Sequence, residues 1–239
     1  MVLALAGAGL NVPSGAARAQ TRDSVFHIVP QRPIEDLRRE AAHQQPPPQP
    51  DSLLKPDLVD LATLDTTIHF DIRYATTRNF MGAAMYSSAR AFLQRPAADA
   101  LLRALHTLRA QGYGLLIHDA YRPWSVTWMF WEATPPAQRS FVANPARGSK
   151  HNRGCAVDLS LYALATGQPV VMPSGYDEFT ERAHPDYPGG TEQQRALRAI
   201  LRHAMEAEGF TVDPGEWWHY DYHDWARYPV MNTPVEQLR

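Results

Sequence analysis

Two separate stretches of the chain contain the residue types of a hydrolytic metal site. His151 and Asp158 lie seven positions apart with Gly154 between them, and Glu216 precedes His219 by three positions further along. Two imidazoles and a carboxylate can hold a catalytic zinc ion and leave one position open for water. The second carboxylate would be free to accept a proton. The pattern predicts one Zn²⁺ per chain, bound by His151, Asp158 and His219, with Glu216 as the catalytic base.

Each stretch also has an ordinary structural interpretation. The alternation that follows Gly154 indicates a loop entering a strand, and the glycine would permit a turn that folds His151 back beside Asp158. A strand with a half-buried aspartate and an exposed histidine would give the same pattern. Glu216 and His219 would face opposite sides of a regular strand, so they need a twist or bulge to converge. The combination of the two stretches is what favours a metal site.

Hydrolysis at a carbonyl also requires a cation or hydrogen-bond donor facing the negative oxygen that develops. Arg122 is the best candidate, because it follows a predicted buried strand over residues 114–118 and Pro123 stiffens its backbone. A surface arginine in a turn is the alternative if the other motifs are set aside.

Length and composition limit the class of protein. The chain has 239 residues and a formal net charge of -2, which gives no reason to expect nucleic acid or an anionic membrane as partner. Its single cysteine, Cys155, excludes an internal disulfide and is expected to be a small packed residue. No run reaches the length of a membrane-spanning helix. We therefore expect neither nucleic acid as a partner nor a membrane span.

The N-terminal part of the chain predicts an export signal followed by a tether. Residues 1–19 resemble a signal peptide, because an apolar stretch precedes Ala17-Arg18-Ala19, although no basic residue precedes Arg18. The protein would then be periplasmic or secreted, and cytoplasmic if the segment is not cleaved. Residues 20–56 are rich in proline and predict a flexible segment. A short helix over residues 34–42 could form there but would bury little.

Residues 57–239 are predicted to form one catalytic domain. Strands are predicted over residues 58–61, 68–74, 114–118, 156–162 and 217–222, and helices over residues 96–111, 125–132 and 192–208. In the second helix, Trp128, Met129 and Trp131 are expected to point inward. Thr191 and Gln194 form a capping-box pattern for the third. The elements lack a regular βαβ alternation, so the predicted fold is α+β, a central antiparallel or mixed sheet flanked by helices, with the zinc site at the sheet.

Several motifs resemble those of a known enzyme family. The pattern Ser149-x-His151-x-x-Gly154-x-Ala156-x-Asp158, with Glu216-x-Trp218-His219, is similar to the zinc D,D-peptidases of bacterial cell-wall metabolism. Three further motifs resemble one group within these enzymes, the D-alanyl-D-alanine dipeptidases of the vancomycin-resistance type. They are Tyr74-Ala75-Thr76-x-x-Asn79-Phe80, Asp119-x-Tyr121-Arg122-Pro123 and Glu216-Trp217-Trp218-His219. The resemblance covers residues 58–228.

The resemblance implies zinc-dependent hydrolysis of D-Ala-D-Ala to free D-alanine, in cell-wall peptide turnover or glycopeptide resistance. It implies the same zinc ligands and base, and it makes Arg122 the residue that polarises the scissile carbonyl. It places Asp177 against the substrate ammonium and puts Ser149 and Tyr74 among the substrate-binding residues. The alternative is a zinc D,D-carboxypeptidase that trims peptidoglycan stem peptides in an open cleft. A non-catalytic wall-binding module of the same fold would lack Glu216.

Overall fold

A five-stranded sheet lies at the centre of the fold, which we describe from a computed structural model of residues 25–239. The described residues contain seven strands, five of which form this sheet. The seven are β1 Leu58–Asp60, β2 His69–Phe70, β3 Phe92–Gln94, β4 Tyr113–Asp119, β5 Ala156–Ala163, β6 Phe210–Asp213 and β7 Glu216–Tyr222. The central sheet has the order β2-β4-β5-β7-β6. Only β2 and β4 are parallel, and the other neighbours are antiparallel. The predicted α+β fold with a mixed sheet is confirmed.

Helices pack around this sheet. They are α1 Ile34–Ala41, α2 Leu61–Leu64, α3 Arg95–Arg109, α4 Trp124–Ala133 and α5 Glu192–Ala207. The predicted capping box begins α5, where the side chains of Thr191 and Gln194 each accept a hydrogen bond from the other residue's backbone N–H. Gly209 follows the helix with a φ of 86°, a left-handed conformation that suits glycine. Among residues 25–239, no helix combines the length and apolar character needed to cross a membrane.

Two predicted elements differ from the structure. The strand predicted over residues 68–74 is limited to β2, because the chain turns into a 3-10 helix at Arg73–Ala75, where Arg73 pairs with Asp71 at 2.6 Å. In α4, Met129 is buried as predicted, whereas Trp128 and Trp131 are only partly buried. The large apolar side chains of α4 itself project on all sides of the helix, so one buried face cannot accommodate every one of them.

Part of the segment predicted to be flexible is packed against the domain. The helix expected over residues 34–42 is present as α1, and it buries Leu37 completely where we expected little burial. The preceding residues are also bonded to the domain, since Ile28 N–H donates to the Phe80 carbonyl and Gln31 N–H to the Ala133 carbonyl. Ala133 ends α4, against which α1 packs. The predicted signal segment, residues 1–19, lies outside the residues that the structure describes.

Truncation of Leu37 should therefore destabilise the whole domain. We expect Leu37→Ala to lower the free energy of unfolding by about 2–5 kcal/mol, because it leaves a cavity between α1 and α4. Leu54→Ala is the matched control, since Leu54 is exposed and its truncation should change stability by less than about 0.5 kcal/mol. Urea denaturation of both variants measures the difference. Equal, small effects would mean that α1 is not part of the cooperative unit.

Candidate metal centre and active site

Three adjacent strands place Asp119, Asp158 and His219 in a row across the sheet. Asp119 of β4 lies opposite Asp158 of β5, and Asp158 lies opposite His219 of β7. Residues directly opposite each other in an antiparallel pair point to the same face. The bulge expected before His219 is present, because Val212 of β6 pairs with Tyr220 while the next residue pairs with Glu216. This irregularity brings Glu216 Oε2 to 3.9 Å from His219 Nδ1.

His151 reaches the same point from a turn. Residues His151–Arg153 form a 3-10 turn that ends at Gly154, which has a φ of 67°. The left-handed conformation favours glycine, and a Cβ atom here would lie 2.5 Å from Leu58 Cδ2, so the Leu58 side chain would have to shift. The turn folds His151 back until its Nε2 is 3.3 Å from Asp158 Oδ1, as the sequence predicted.

The three predicted ligand atoms form a nearly equilateral triangle. His219 Nδ1 is 3.1 Å from His151 Nε2 and 3.1 Å from Asp158 Oδ1, and the third edge is 3.3 Å. Ligands about 2.0–2.1 Å from a tetrahedral zinc ion are separated by about 3.3 Å, so the spacing fits zinc. Asp158 Oδ1 is buried and has no hydrogen-bond partner among the described residues. A buried carboxylate oxygen of this kind is suited to a metal.

The outer nitrogen of each imidazole is bonded to an acceptor. His151 Nδ1 lies 2.6 Å from the Ala120 carbonyl oxygen, and His219 Nε2 lies 2.8 Å from Asp221 Oδ1. Carbonyl and carboxylate oxygens only accept, so these two nitrogens carry the protons. The inner nitrogens, His151 Nε2 and His219 Nδ1, are then left with lone pairs that face Asp158 and can bind a metal.

Charges around the triangle favour an ionised carboxylate. Burial would raise the pKa of Asp158, but the His151 and His219 rings outweigh it and hold the pKa well below its usual range. Burial would lower the pKa of His219, but the carboxylates of Asp221 and Asp158 outweigh it and raise the pKa well above its usual value. A metal that binds His219 Nδ1 must therefore compete with a proton for the same lone pair.

Tyr176 holds the second oxygen of Asp158. Its hydroxyl donates to Asp158 Oδ2 at 2.9 Å, and its ring stacks on His118 at 4.8 Å between centroids. Burial lowers the pKa of His118 to about 4, so this imidazole is neutral. The sequence alone gave Tyr176 no role, and no spacing rule connects it to Asp158.

Glu216 lies beside the triangle and is only partly buried. Burial raises the pKa of Glu216 well above its usual value, and the nearby carboxylates of Asp158 and Asp177 add to the effect. A carboxylate with a raised pKa is a stronger base, which suits a group that must take up and release a proton near neutral pH. The predicted base therefore lies close to the predicted ligands, and its pKa is shifted in the direction that suits a base.

Arg122 is held rigidly in the same cavity. Its Nε and Nη2 donate to Asp119 Oδ2 at 2.9 and 2.8 Å, and its Nη2 lies 3.6 Å from Asp158 Oδ2. Its guanidinium lies over the rings of Phe130 and Tyr74. The side chain is buried and fixed, so the alternative of a surface arginine is wrong. Asp119, three residues before it, is a partner that we had not assigned.

Asp177 and Tyr74 meet on another part of the wall. The Tyr74 hydroxyl lies 2.9 Å and 3.1 Å from the two carboxylate oxygens of Asp177. Burial and the nearby Asp158 raise the pKa of Asp177 to about 8. Asp177 has a φ of 56°, the only positive value of a non-glycine residue in the described part of the chain. Such strain is often found where a side chain is aimed at a ligand.

Ser149 begins the turn that carries His151. Its Oγ accepts a hydrogen bond from His151 N–H at 3.2 Å, and its own N–H donates to Asn152 Oδ1 at 2.7 Å. The hydroxyl proton remains available for a ligand. Ser149 therefore caps the turn and also lines the cavity.

All eight predicted site residues line one cavity of about 560 Å³. They are Tyr74, Arg122, Ser149, His151, Asp158, Asp177, Glu216 and His219. Residues 140–144 line the same cavity after the end of α4. Trp217 and Trp218 are buried and belong to the core rather than to this wall. Cys155 is also buried, as predicted.

Comparison with known proteins agrees with the sequence motifs. A family model described as D-ala-D-ala dipeptidase, Peptidase_M15, matches residues 55–236. The D-alanyl-D-alanine dipeptidase of Escherichia coli (strain K12) is 35% identical over 175 residues, which are 73% of this chain and 89% of the relative. The D-alanyl-D-alanine dipeptidase of Enterococcus faecium is 36% identical over 182 residues, 67% of this chain and 90% of the relative.

Similarity to solved structures is more distant. A vancomycin-resistance D,D-pentapeptidase in complex with Zn(II) is 18% identical, with a TM-score of 0.37, and the match covers 55% of this chain and 73% of that chain. The family match covers most of the chain, including the whole central sheet and the cavity described above. The chain therefore belongs to the Peptidase_M15 family of D-Ala-D-Ala dipeptidases.

Proposed function

We propose that this protein hydrolyses the dipeptide D-Ala-D-Ala to free D-alanine with the help of one zinc ion. The observation that carries the proposal is the meeting of three ligand atoms, within 3.1–3.3 Å of one another, with Glu216 beside them. Membership of the dipeptidase family supports the substrate class. The same cavity contains a buried carboxylate and a buried guanidinium, which match the two charged demands of dipeptide hydrolysis.

The metal would be held by His151 Nε2, Asp158 Oδ1 and His219 Nδ1. Zinc in such a site supplies a Lewis acid that polarises a carbonyl and makes water a better nucleophile near neutral pH. Asp221 and the Ala120 carbonyl keep the two imidazoles in the required tautomers. Tyr176 holds the other oxygen of Asp158, so that the carboxylate presents a single oxygen to the metal.

Glu216 and Arg122 perform the proton transfer and the charge stabilisation. Glu216 accepts a proton from the attacking water and passes it to the leaving amine, for which its raised pKa is suited. Arg122 faces the oxygen that becomes negative, and its two bonds to Asp119 fix its position before the substrate arrives. A donor that is already in place is worth about 2.7–4 kcal/mol to the transition state.

Asp177 and Ser149 bind the two ends of the substrate. The carboxylate of Asp177, held by Tyr74, faces the cavity and would pair with the free ammonium group of the dipeptide. A buried carboxylate that must find a cation discriminates against an acylated amine, which carries no charge. Ser149 would donate a hydrogen bond from its hydroxyl group to the substrate. The D,D-carboxypeptidase alternative requires N-acylated stem peptides, so Asp177 favours the dipeptidase.

We further propose that the protein acts in the periplasm or outside the cell. The signal-like composition of residues 1–19 supports this proposal. An exported enzyme would remove D-Ala-D-Ala released from the wall, whereas a cytoplasmic one would act on newly made dipeptide. N-terminal sequencing of the mature protein distinguishes them, since a start at Gln20 agrees with export and a retained Met1 contradicts it.

Zinc affinity should depend on pH because zinc competes with a proton at His219. The pKa of His219 is raised, so the proton is held up to a higher pH than on a free imidazole. Below this pKa, affinity should fall about tenfold for each unit of pH. Competition with a chromophoric chelator between pH 6 and 8 measures the slope. The exposed-histidine variant His223→Ala should retain it, and a flat profile in the unmodified protein would contradict the competition.

Glu216→Gln should abolish most of the activity without releasing zinc. The amide cannot accept a proton, so kcat for D-Ala-D-Ala should fall by about 10²–10⁴-fold. Zinc content should stay at one ion per chain, because Glu216 is not a predicted ligand. Glu236→Gln is the matched control, since it makes the same change at an exposed position outside the cavity and should leave kcat and zinc content unchanged. An active Glu216→Gln variant would remove Glu216 from the mechanism.

Asp177→Asn should weaken the preference for a free amino group. Loss of one partner of a buried charge pair costs about 2–4 kcal/mol, so kcat/KM for D-Ala-D-Ala should fall roughly 30- to 700-fold. N-acetyl-D-Ala-D-Ala should be a poor substrate of the unmodified enzyme. The Asp177→Asn substitution should lower kcat/KM for this acetylated peptide much less than for D-Ala-D-Ala. Tyr74→Phe, which removes only the supporting hydroxyl, should have a smaller effect. Efficient cleavage of the acetylated peptide by the unmodified enzyme would instead support the carboxypeptidase.

A further inference from the structure

We propose that Lys150 and Asp221 form a clamp that organises the zinc site before the metal binds. This inference rests on the proposed function, because it concerns the same metal centre. Neither residue is among the predicted ligands or catalytic groups. Both are therefore proposed as positioning residues, which act on zinc through His151 and His219.

Asp221 fixes the orientation of the His219 ring from the side opposite to the metal position. The two residues are separated by one position on β7, so their side chains leave the strand on the same face. Asp221 Oδ1 lies 2.8 Å from His219 Nε2, and a carboxylate can only accept the bond. The contact places the imidazole proton on Nε2, fixes the ring orientation and leaves Nδ1 directed at Asp158, 3.1 Å away. In the opposite tautomer, the metal position would be occupied by N–H.

Lys150 connects this arrangement to the other histidine. Its Nζ lies 2.8 Å from Asp221 Oδ2, the oxygen that His219 does not use. Lys150 immediately precedes His151 in the chain, so the ion pair joins the segments that carry the two imidazoles. Both members are partly shielded from solvent, with 36% of the Lys150 side chain and 11% of the Asp221 side chain exposed. Such a pair is screened less than a fully exposed one.

The clamp closes a long loop without the metal. His151 and His219 are 68 positions apart, and their inner nitrogens must stay about 3 Å apart for one ion to bind both. Any freedom between the two segments would have to be lost on metal binding and would lower affinity. The Lys150–Asp221 pair limits that freedom at the neighbouring positions. It therefore contributes to zinc affinity, and Lys150 contributes only through Asp221.

Zinc affinity in a double-mutant cycle tests the clamp independently of catalysis. The dissociation constant is measured by competition with a chromophoric chelator, using zinc alone as the ligand. We expect Asp221→Asn to weaken zinc binding by about 10- to 100-fold, the usual effect of losing a carboxylate behind a ligand histidine. Lys150→Met should weaken it by about three- to tenfold. The double variant should bind zinc no more weakly than Asp221→Asn alone.

Conservative variants separate the clamp from general effects of charge and folding. Lys150→Arg keeps the cation and should retain most of the affinity. Asp224→Asn removes a partly exposed carboxylate that pairs with Arg227, and it should leave the affinity unchanged. Lys150 is half-exposed, so Lys150→Met is expected to fold even if Asp221→Asn does not, and it keeps the proposal testable.

The outcomes distinguish the clamp from the metal centre. If His219→Ala leaves zinc affinity unchanged, the proposed metal centre is wrong. If His219→Ala abolishes binding while Lys150→Met and Asp221→Asn each stay within twofold of the unmodified protein, the metal centre stands and the clamp is wrong. Full additivity of the two single effects would also overturn it, because Lys150 would then act independently of Asp221.

Discussion

The site depends on a buried carboxylate oxygen that is stabilised by a proton or a cation held at two neighbouring histidines. Asp158 Oδ1 lies between two imidazole nitrogens, and its partner oxygen is already bonded to Tyr176. Leaving such an oxygen unsatisfied costs about 1–3 kcal/mol or more, so the fold must be arranged to supply a cation or proton at this position. Three features position the groups around this oxygen. They are the strand register, the Gly154 turn and the outer hydrogen bonds of both histidines.

Negative charge is concentrated around this point, and each carboxylate has a defined partner. Asp119 is neutralised by Arg122, Asp221 contacts Lys150 and His219, and Asp177 is held by an uncharged tyrosine. Burial and Asp158 raise the pKa of Asp177 to about 8, so a cation placed beside this side chain would stabilise its ionised form. In the proposed function, the free ammonium group of the dipeptide would supply that charge.

The sequence was sufficient to group the four residues proposed for the metal centre and the base, but not to identify the side chains that hydrogen-bond to them. These four could be proposed because each stretch combines chemistry-bearing residues with a glycine or an irregular backbone. They are His151, Asp158, Glu216 and His219. Tyr74 and Asp177 are 103 positions apart, so only the family resemblance could bring them together. Three partners, Asp119, Tyr176 and Asp221, went unassigned. The packing of α1 was missed because a proline-rich composition describes the segment as a whole, whereas two residues four apart, Leu37 and Ala41, anchor it.

The position of the ligands within the sheet determines how long their geometry persists. Asp158 lies on the middle strand of five, and His219 lies on a strand that is paired on both sides. Backbone amides in such strands exchange with solvent mainly by the rarest opening events, close to global unfolding. The irregular wall over residues 140–144 has no ladder of this kind. The arrangement of Asp158 and His219 therefore persists for the lifetime of the folded domain, while residues 140–144 can rearrange on the much shorter time scale of loop motion.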